Sequence, residues 1–153
     1  MKEKINKIVD DAIQKLEDLR EKELAKSQTR FVLVQLNGIP CYMDTKTGLY
    51  WQKDQRKKLL TFGESRVYAE ELSKETGIDW RIPTREELIS IVDDTIIEPA
   101  TELPGMVAFT YWSSSTIYVA SISNAWYVNF NNGYSNYNGK PNNYYVRCVA
   151  TGE

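Results

Sequence analysis

Residues 31–153 read as one α+β domain, in which two helices are followed by several short antiparallel strands, and residues 1–30 read as a separate amphipathic helix. Three observations carry that prediction. A helix-period segment covers Phe62–Thr76 and stops at Gly77; Thr84-Arg-Glu-Glu87 has the form of a capping box; and an alternating run over residues 125–130 leads into Asn132-Gly133.

The elements follow in order. Met1–Arg30 is half charged, and Ile5, Val9, Ala12, Leu16 and Leu19 recur three and four apart, with Ile8, Ile13 and Leu24 widening the stripe. The heptad seam lasts under three repeats, because Glu23 and Lys26 occupy its next positions. Such a helix either packs on its own domain or acts as a stalk that joins subunits into a homo-oligomer or fibre. Phe31–Leu36 has strand character and ends at Asn37-Gly38, while residues 41–43 and 49–51 form short strands around Asp44-Thr-Lys-Thr-Gly48. In the next segment Val67, Tyr68, Ala69 and Leu72 share a helical face, and Gly77 is a natural C-cap. The second helix opens at Thr84 behind Pro83 and buries Leu88, Ile91 and Val92. In the alternating run Trp126, Val128 and Phe130 are expected to face the core, and Tyr127 and Asn129 to be displayed. Asn132-Gly133 and Asn138-Gly139-Lys140-Pro141 are turns, and residues 145–149 close as a strand.

Composition removes several functions. The 153 residues include no histidine, so a Ser-His-Asp or Cys-His relay, a histidine-ligated metal and an imidazole switch are all out of reach. Two distant cysteines cannot build a structural zinc site alone. A net charge of −2 lacks the basic footprint that attracts phosphate backbones, so nucleic acid is not an expected partner. No apolar run approaches the ~20 residues of a membrane span, and the opening Met1-Lys-Glu-Lys lacks the apolar core of a signal peptide. Membrane insertion is therefore not expected, and display on a virion or cell surface would need a carrier; the alternative location is the cytoplasm. A chain of this length buries roughly 65% of its unfolded surface, enough for a core without disulfide staples.

The last third is chemically distinct. Residues 103–139 carry no charged side chain, eight of the ten asparagines fall within residues 124–143, and Tyr127, Tyr134, Tyr137, Tyr144 and Tyr145 are interleaved with them. Tyrosine supplies large, stiff, amphipathic contact area and asparagine supplies adaptable donors and acceptors, the balance found in antibody paratopes. The candidate ligand-binding residues are Tyr127, Asn129, Asn131, Asn132, Tyr134, Asn136, Tyr137, Asn138, Asn142, Asn143 and Tyr144. Turn chemistry explains about three of the asparagines; the remainder, spaced among tyrosines, exceed what turns require.

Asp44-Thr-Lys-Thr-Gly48-Leu49, Trp51, Trp80-Arg-Ile-Pro-Thr84 with Glu87-Leu88, Tyr111-Trp-Ser-Ser114, Ala125-Trp126, Phe130, Gly133, Lys140 and Tyr145-Val-Arg-Cys148-Val149 form an ordered set. Over residues 42–149 this set resembles the C-terminal domains of Legionella collagen-like adhesins, whose C-type-lectin-like fold is related to that of the formylglycine-generating enzyme. The resemblance implies two helices flanking a twisted, mostly antiparallel sheet, N- and C-terminal strands side by side, and a loop-rich binding face. The same fold carries the variable proteins of diversity-generating retroelements, in which adenine-specific mutation diversifies the end of the chain. Residues 124–144 have the composition that diversified Asn codons produce, so the resemblance implies a receptor-binding tip or adhesin whose partner is a protein or glycan on a target surface. A structural fibre or assembly subunit with a fixed interface is the alternative.

Departures from the family narrow what is inherited. Ala69 stands where family members often carry a helix cysteine, so the usual pairing is lost. The implied proximity of early and late strands leaves Cys41 and Cys148 either as a disulfide, which would add on the order of 4 to 5 kcal/mol, or as two buried free thiols. The cysteine pair behind the related enzyme's copper oxidase chemistry is not apparent. Glu98-Pro99-Ala100 falls short of the calcium-lectin signature, and Asp93, Asp94 and Glu98 have irregular spacing for calcium. Trp51, Trp80, Trp112 and Trp126 read as core with internally bonded indoles, and Arg81 and Arg147 as structural ion-pair partners. No local carboxylate pair and no activated serine is found, so the expected function is non-enzymatic recognition without a metal or other cofactor.

Overall fold

A computed structural model describes residues 1–27, 29–116 and 122–152, with the side chains of residues 23–27 and 116 outside the described set. The chain divides into two units, Met1–Arg30 and Phe31–Glu153. The first is helix α1 (Lys2–Ser27), which is not long and apolar enough to cross a membrane. Its stripe from Ile5 to Leu19 is laid out as the spacing predicts, Leu24, Glu23 and Lys26 lying outside the described side chains, and Gln14 donates to Asp18 one turn further on.

Among its described residues the second unit contains two antiparallel sheets and two helices. Strands β1 (Phe31–Leu36), β2 (Ile39–Asp44) and β3 (Leu49–Gln52) form a meander, completed by β7 (Val149–Thr151) beside β3. Asn37 and Gly38 both have positive φ, 50° and 77°, the two-residue turn whose twist matches a hairpin. At the next turn the buried Asp44 carboxylate accepts from the Lys46 N–H and the Thr47 hydroxyl, and Gly48 takes φ 78°. The order β1-β2-β3-β7 corrects the expectation that N- and C-terminal strands adjoin. The tight β1–β2–β3 turns keep those strands consecutive, and the chain's end pairs with the free edge of β3 while β1 remains the opposite edge of the sheet.

Helix α2 (Phe62–Thr76) ends in the left-handed Gly77, as the sequence indicates. Its N-cap, a reciprocal Thr61–Glu64 capping box, escaped the sequence reading. Its inner face consists of Phe62, Ser65 and Ala69, with Tyr68 and Leu72 partly buried. Val67, expected on that face, is 52% exposed because it lies beyond the stripe centred on Ala69. Helix α3 (Arg85–Ser90) has the Thr84–Glu87 box and buries Leu88; Ile91 is buried just past its end, and Val92 is only partly buried.

Glu87 also takes both terminal nitrogens of Arg81, one at 2.6 Å. Burial by itself would raise the Glu87 carboxyl, but its bonds to Arg81 and to Thr84 outweigh burial and hold it below the ordinary value. A lowered folded-state pKa contributes stability above the unfolded value, near 4.5, and loses it as pH falls through the folded value. Glu87→Gln should therefore flatten the acid limb of the stability–pH curve; an unchanged limb would refute this linkage.

Strands β4 (Thr110–Thr116), β5 (Asn124–Asn129) and β6 (Tyr134–Gly139) form the second sheet. Residues 145–148, expected in a strand, are irregular before β7. They are held instead by isolated bridges and by Cys148 N–H donating to Gln52 Oε1 at 3.0 Å.

The core has two clusters. One gathers Phe62, Ala69, Trp80, Trp112 and Ala125 under α2; the other gathers Trp51, Leu88, Ile91, Tyr111, Val128 and Phe130 under α3. Residues an odd number of positions apart in one strand therefore enter different clusters, Trp112 and Tyr111 in β4 and Ala125 and Val128 in β5. Both faces of β4 and β5 are packed, which corrects the reading of one core face and one displayed face. Cys41 and Cys148 are fully buried free thiols in the α2 cluster, not a disulfide, and burial pushes the Cys148 thiol up to about 12. The Trp112 indole donates to the Leu60 carbonyl, whereas those of Trp51 and Trp80 are buried without an acceptor, contrary to expectation.

Candidate functional site

With both faces of β4 and β5 covered, the asparagines and tyrosines reach solvent mainly where the second sheet ends, at edge strand β6 and its flanking turns. Register fixes which side each residue takes. Tyr127 is opposite Asn136, Asn129 opposite Tyr134, and Ala125 opposite Asn138, so Tyr127, Asn129, Tyr134, Asn136 and Asn138 share the side toward the α2 cluster. Trp126 is opposite Tyr137, which puts Tyr137 on the other side, with the rings edge to face at 5.4 Å. Arg85 lies over the Trp126 ring at 4.1 Å and donates to the Ser135 hydroxyl, tying that side of the hairpin to α3.

Exposure grades outward across the sheet. Tyr127 and Asn129 are half-buried, while Tyr134 is 73% and Tyr137 47% exposed, and Asn131, Asn132, Asn136, Asn138, Asn142 and Asn143 are exposed. Tyr144 is half-buried, stacks on Trp112 at 4.6 Å and Tyr127 at 5.3 Å, and its hydroxyl accepts from Asn138 Nδ2 at 2.8 Å. Burial, then the neighbouring Tyr144, pushes the Tyr127 phenol above its ordinary value, so it stays a neutral donor and acceptor near neutrality. Tyr127 and Tyr144 form a packed aromatic floor; Tyr134 and the β6 asparagines stand at its open end.

Several asparagines also hold the backbone. Asn129 and Asn132 accept from the N–H groups of Asn131 and Tyr134, and Asn142 donates to the Gly139 carbonyl. Asn136 and Asn138 each accept from the next N–H along β6, that of Tyr137 and that of Gly139. The β5–β6 loop is longer than Asn132-Gly133 suggests: it runs over residues 130–133 because Phe130 turns into the core. Gly133 closes it at φ 86°, where an added Cβ would meet Val92 Cγ1 at 2.8 Å.

Phe109 belongs to the same surface and was missed in the sequence. It is 42% exposed and meets Tyr144 and Tyr145 edge to face at 6.5 and 5.9 Å. Its only sequence signal is its place inside the charge-free run.

A cleft of about 390 Å³ beside α2 has Phe62 and Trp80 in its walls and Arg66 and Lys140 among its lining, with Glu70 as its one carboxylate. Asp93 uses a carboxylate oxygen on the Thr95 N–H and hydroxyl. Among the described residues no group of three or more Cys, Asp or Glu side chains could hold a metal ion.

Residues 40–150 match the family model described as the Lcl C-terminal domain, from within β2 into β7, leaving α1 and β1 outside. No curated protein matches the chain.

Proposed function

The chain belongs to the Lcl C-terminal domain family, and from that premise we propose that residues 31–153 form an adhesin-type, non-catalytic recognition domain that binds a protein or glycan on a target surface. The observation that carries this reading is the uncharged edge of β6, where exposed Tyr134 and asparagines 136 and 138 continue the half-buried floor of Tyr127 and Tyr144. Docking there desolvates amides and phenols rather than full charges. Phe109 extends the surface with an apolar ring, and the turn asparagines 131, 132, 142 and 143 form its rim. Tyr137 belongs to the opposite side, where its ring packs edge to face with Trp126. Display on a virion or cell surface suits this use.

The finer proposal is that a retroelement diversifies this edge. A rigid frame with variable outward side chains suits that role: Trp126, Phe130 and Arg147 are held by packing and hydrogen bonds, while Tyr134, Asn136 and Asn138 on β6 are exposed. Sequencing the 3′ end of the gene across its natural population tests this. Replacements confined to adenines in the codons of residues 124–144, with Trp126, Phe130 and Arg147 held fixed, are expected; a uniform sequence would end the diversification proposal. Recognition itself is tested by coating beads with the protein and measuring their retention on target cells and on glycan arrays. A Tyr134→Ala, Asn138→Ala variant should lose retention at least about tenfold, since exposed aromatic anchors dominate such interfaces. Undiminished retention would move the site elsewhere.

A further inference from the structure

We propose that α1 is a self-association helix whose partner is a second copy of itself, paired antiparallel. This inference does not depend on the recognition surface. Helix α1, 26 residues and about 39 Å long, lies in a unit of its own, and no other element of that unit covers its apolar stripe. Ile5, Ile8, Val9, Ile13, Leu16 and Leu19 are 49–69% exposed. A helix of this kind gains most of its stability by packing an apolar face, and these side chains lie on one side of the helix, with polar residues on the other.

Spacing and charge choose the partner and its direction. Ile5, Val9, Ala12, Leu16 and Leu19 alternate four and three apart, the seam by which helices pair with helices. The positions flanking the seam are Ile8, Lys15 and Lys22 on one side and Asn6, Ile13 and Arg20 on the other. Every charge among them is positive, so they repel when brought together. Parallel pairing would set Lys15 of each helix against Arg20 of the other, on both sides of the seam. Antiparallel pairing, with Ile5 against Leu16 of the partner copy and Val9 against its Ala12, places Lys15 beside Ile8 and Arg20 beside Asn6. The same register brings Ile13 to Ile13 on the other flank, so residues that widen the stripe, Ile13 with its partner copy and Ile8 with the Lys15 stem, close over the seam. Ala12, small and near the centre, lets the helices approach closely.

Cysteine cross-linking of the full chain reads this arrangement, since seam partners in one layer lie within reach of a disulfide. Ile5→Cys and Leu16→Cys proteins are made separately, mixed, re-equilibrated and oxidised, with the parent protein as control for Cys41 and Cys148. The expected result is a linked heterodimer from the mixture, little linked dimer from either variant alone, and a dimer mass for the parent in sedimentation equilibrium. Leu16→Glu should weaken that dimer by about a hundredfold while near-ultraviolet dichroism of the tryptophan-containing unit stays unchanged. Linked Ile5→Cys homodimers, a larger oligomer, or a parent that sediments as a monomer to its solubility limit would each overturn the proposal. All three leave the recognition surface untouched.

Discussion

Arg147→Met should lower the unfolding free energy by about 3 kcal/mol, read as a shift in urea midpoint. Arg147 has 0% exposure. Its guanidinium donates to three backbone carbonyls, Gln52 O at 2.6 Å, Pro104 O at 2.7 Å and Lys53 O at 3.4 Å. Burial draws its pKa down to about 10, so it remains charged at neutral pH and is stabilised by carbonyl dipoles. Methionine would fill the stem's volume and orphan those carbonyls, in loops that run on to Gln55 and Val107, both of which bond the Tyr111 hydroxyl. Lysine would keep a charge without the planar fork, so Arg147→Lys should recover only part of the loss. A cost below about 1 kcal/mol for the methionine variant would show that solvent readily replaces the guanidinium.

Phe130→Ala should cost about 3 to 4 kcal/mol and loosen the β6 edge at the same time. Phe130 is buried in the loop between β5 and β6, edge-on to Tyr111 at 5.4 Å. Its own N–H donates to the Phe109 carbonyl and its carbonyl accepts from the Ala100 N–H, so one residue pins three segments. Removing the ring leaves a cavity in the α3 cluster and frees the hairpin, and hydrogen exchange of the β6 amides should accelerate more than that of β2. Tyr134→Ala, at a side chain 73% exposed, should by contrast change stability by less than about 0.5 kcal/mol. Equal exchange in β6 and β2 after the Phe130 change would mean that the hairpin does not depend on this anchor.

Local chemistry made much of this protein legible in its sequence. Asn37-Gly38, Gly48 and Gly77 each occupy the left-handed position that glycine or asparagine tolerates, and Thr84 with Glu87 closes its box, because these features depend on residues only a few positions apart. The Asn/Tyr composition marked the segment that carries the exposed edge for the same reason: side-chain chemistry is written residue by residue. Tertiary packing decided the rest. Alternation in residues 125–130 names two faces but cannot say whether both will be covered; α2 and α3 cover both, so Tyr127 sinks into an aromatic floor and display moves to β6. The acceptors of Arg147 are backbone carbonyls that carry no signature in the sequence, and Phe109 joins the surface only because residues 144 and 145 return beside it. The sequence by itself determined the Thr84–Glu87 box, the Gly77 cap, the turns at Asn37-Gly38 and Gly48, the apolar stripe and the chemistry of the Asn/Tyr segment, since each is a short-range property of the chain; which strand forms the edge, what the buried arginine bonds and which tyrosines face solvent were settled only by contacts between residues far apart in sequence.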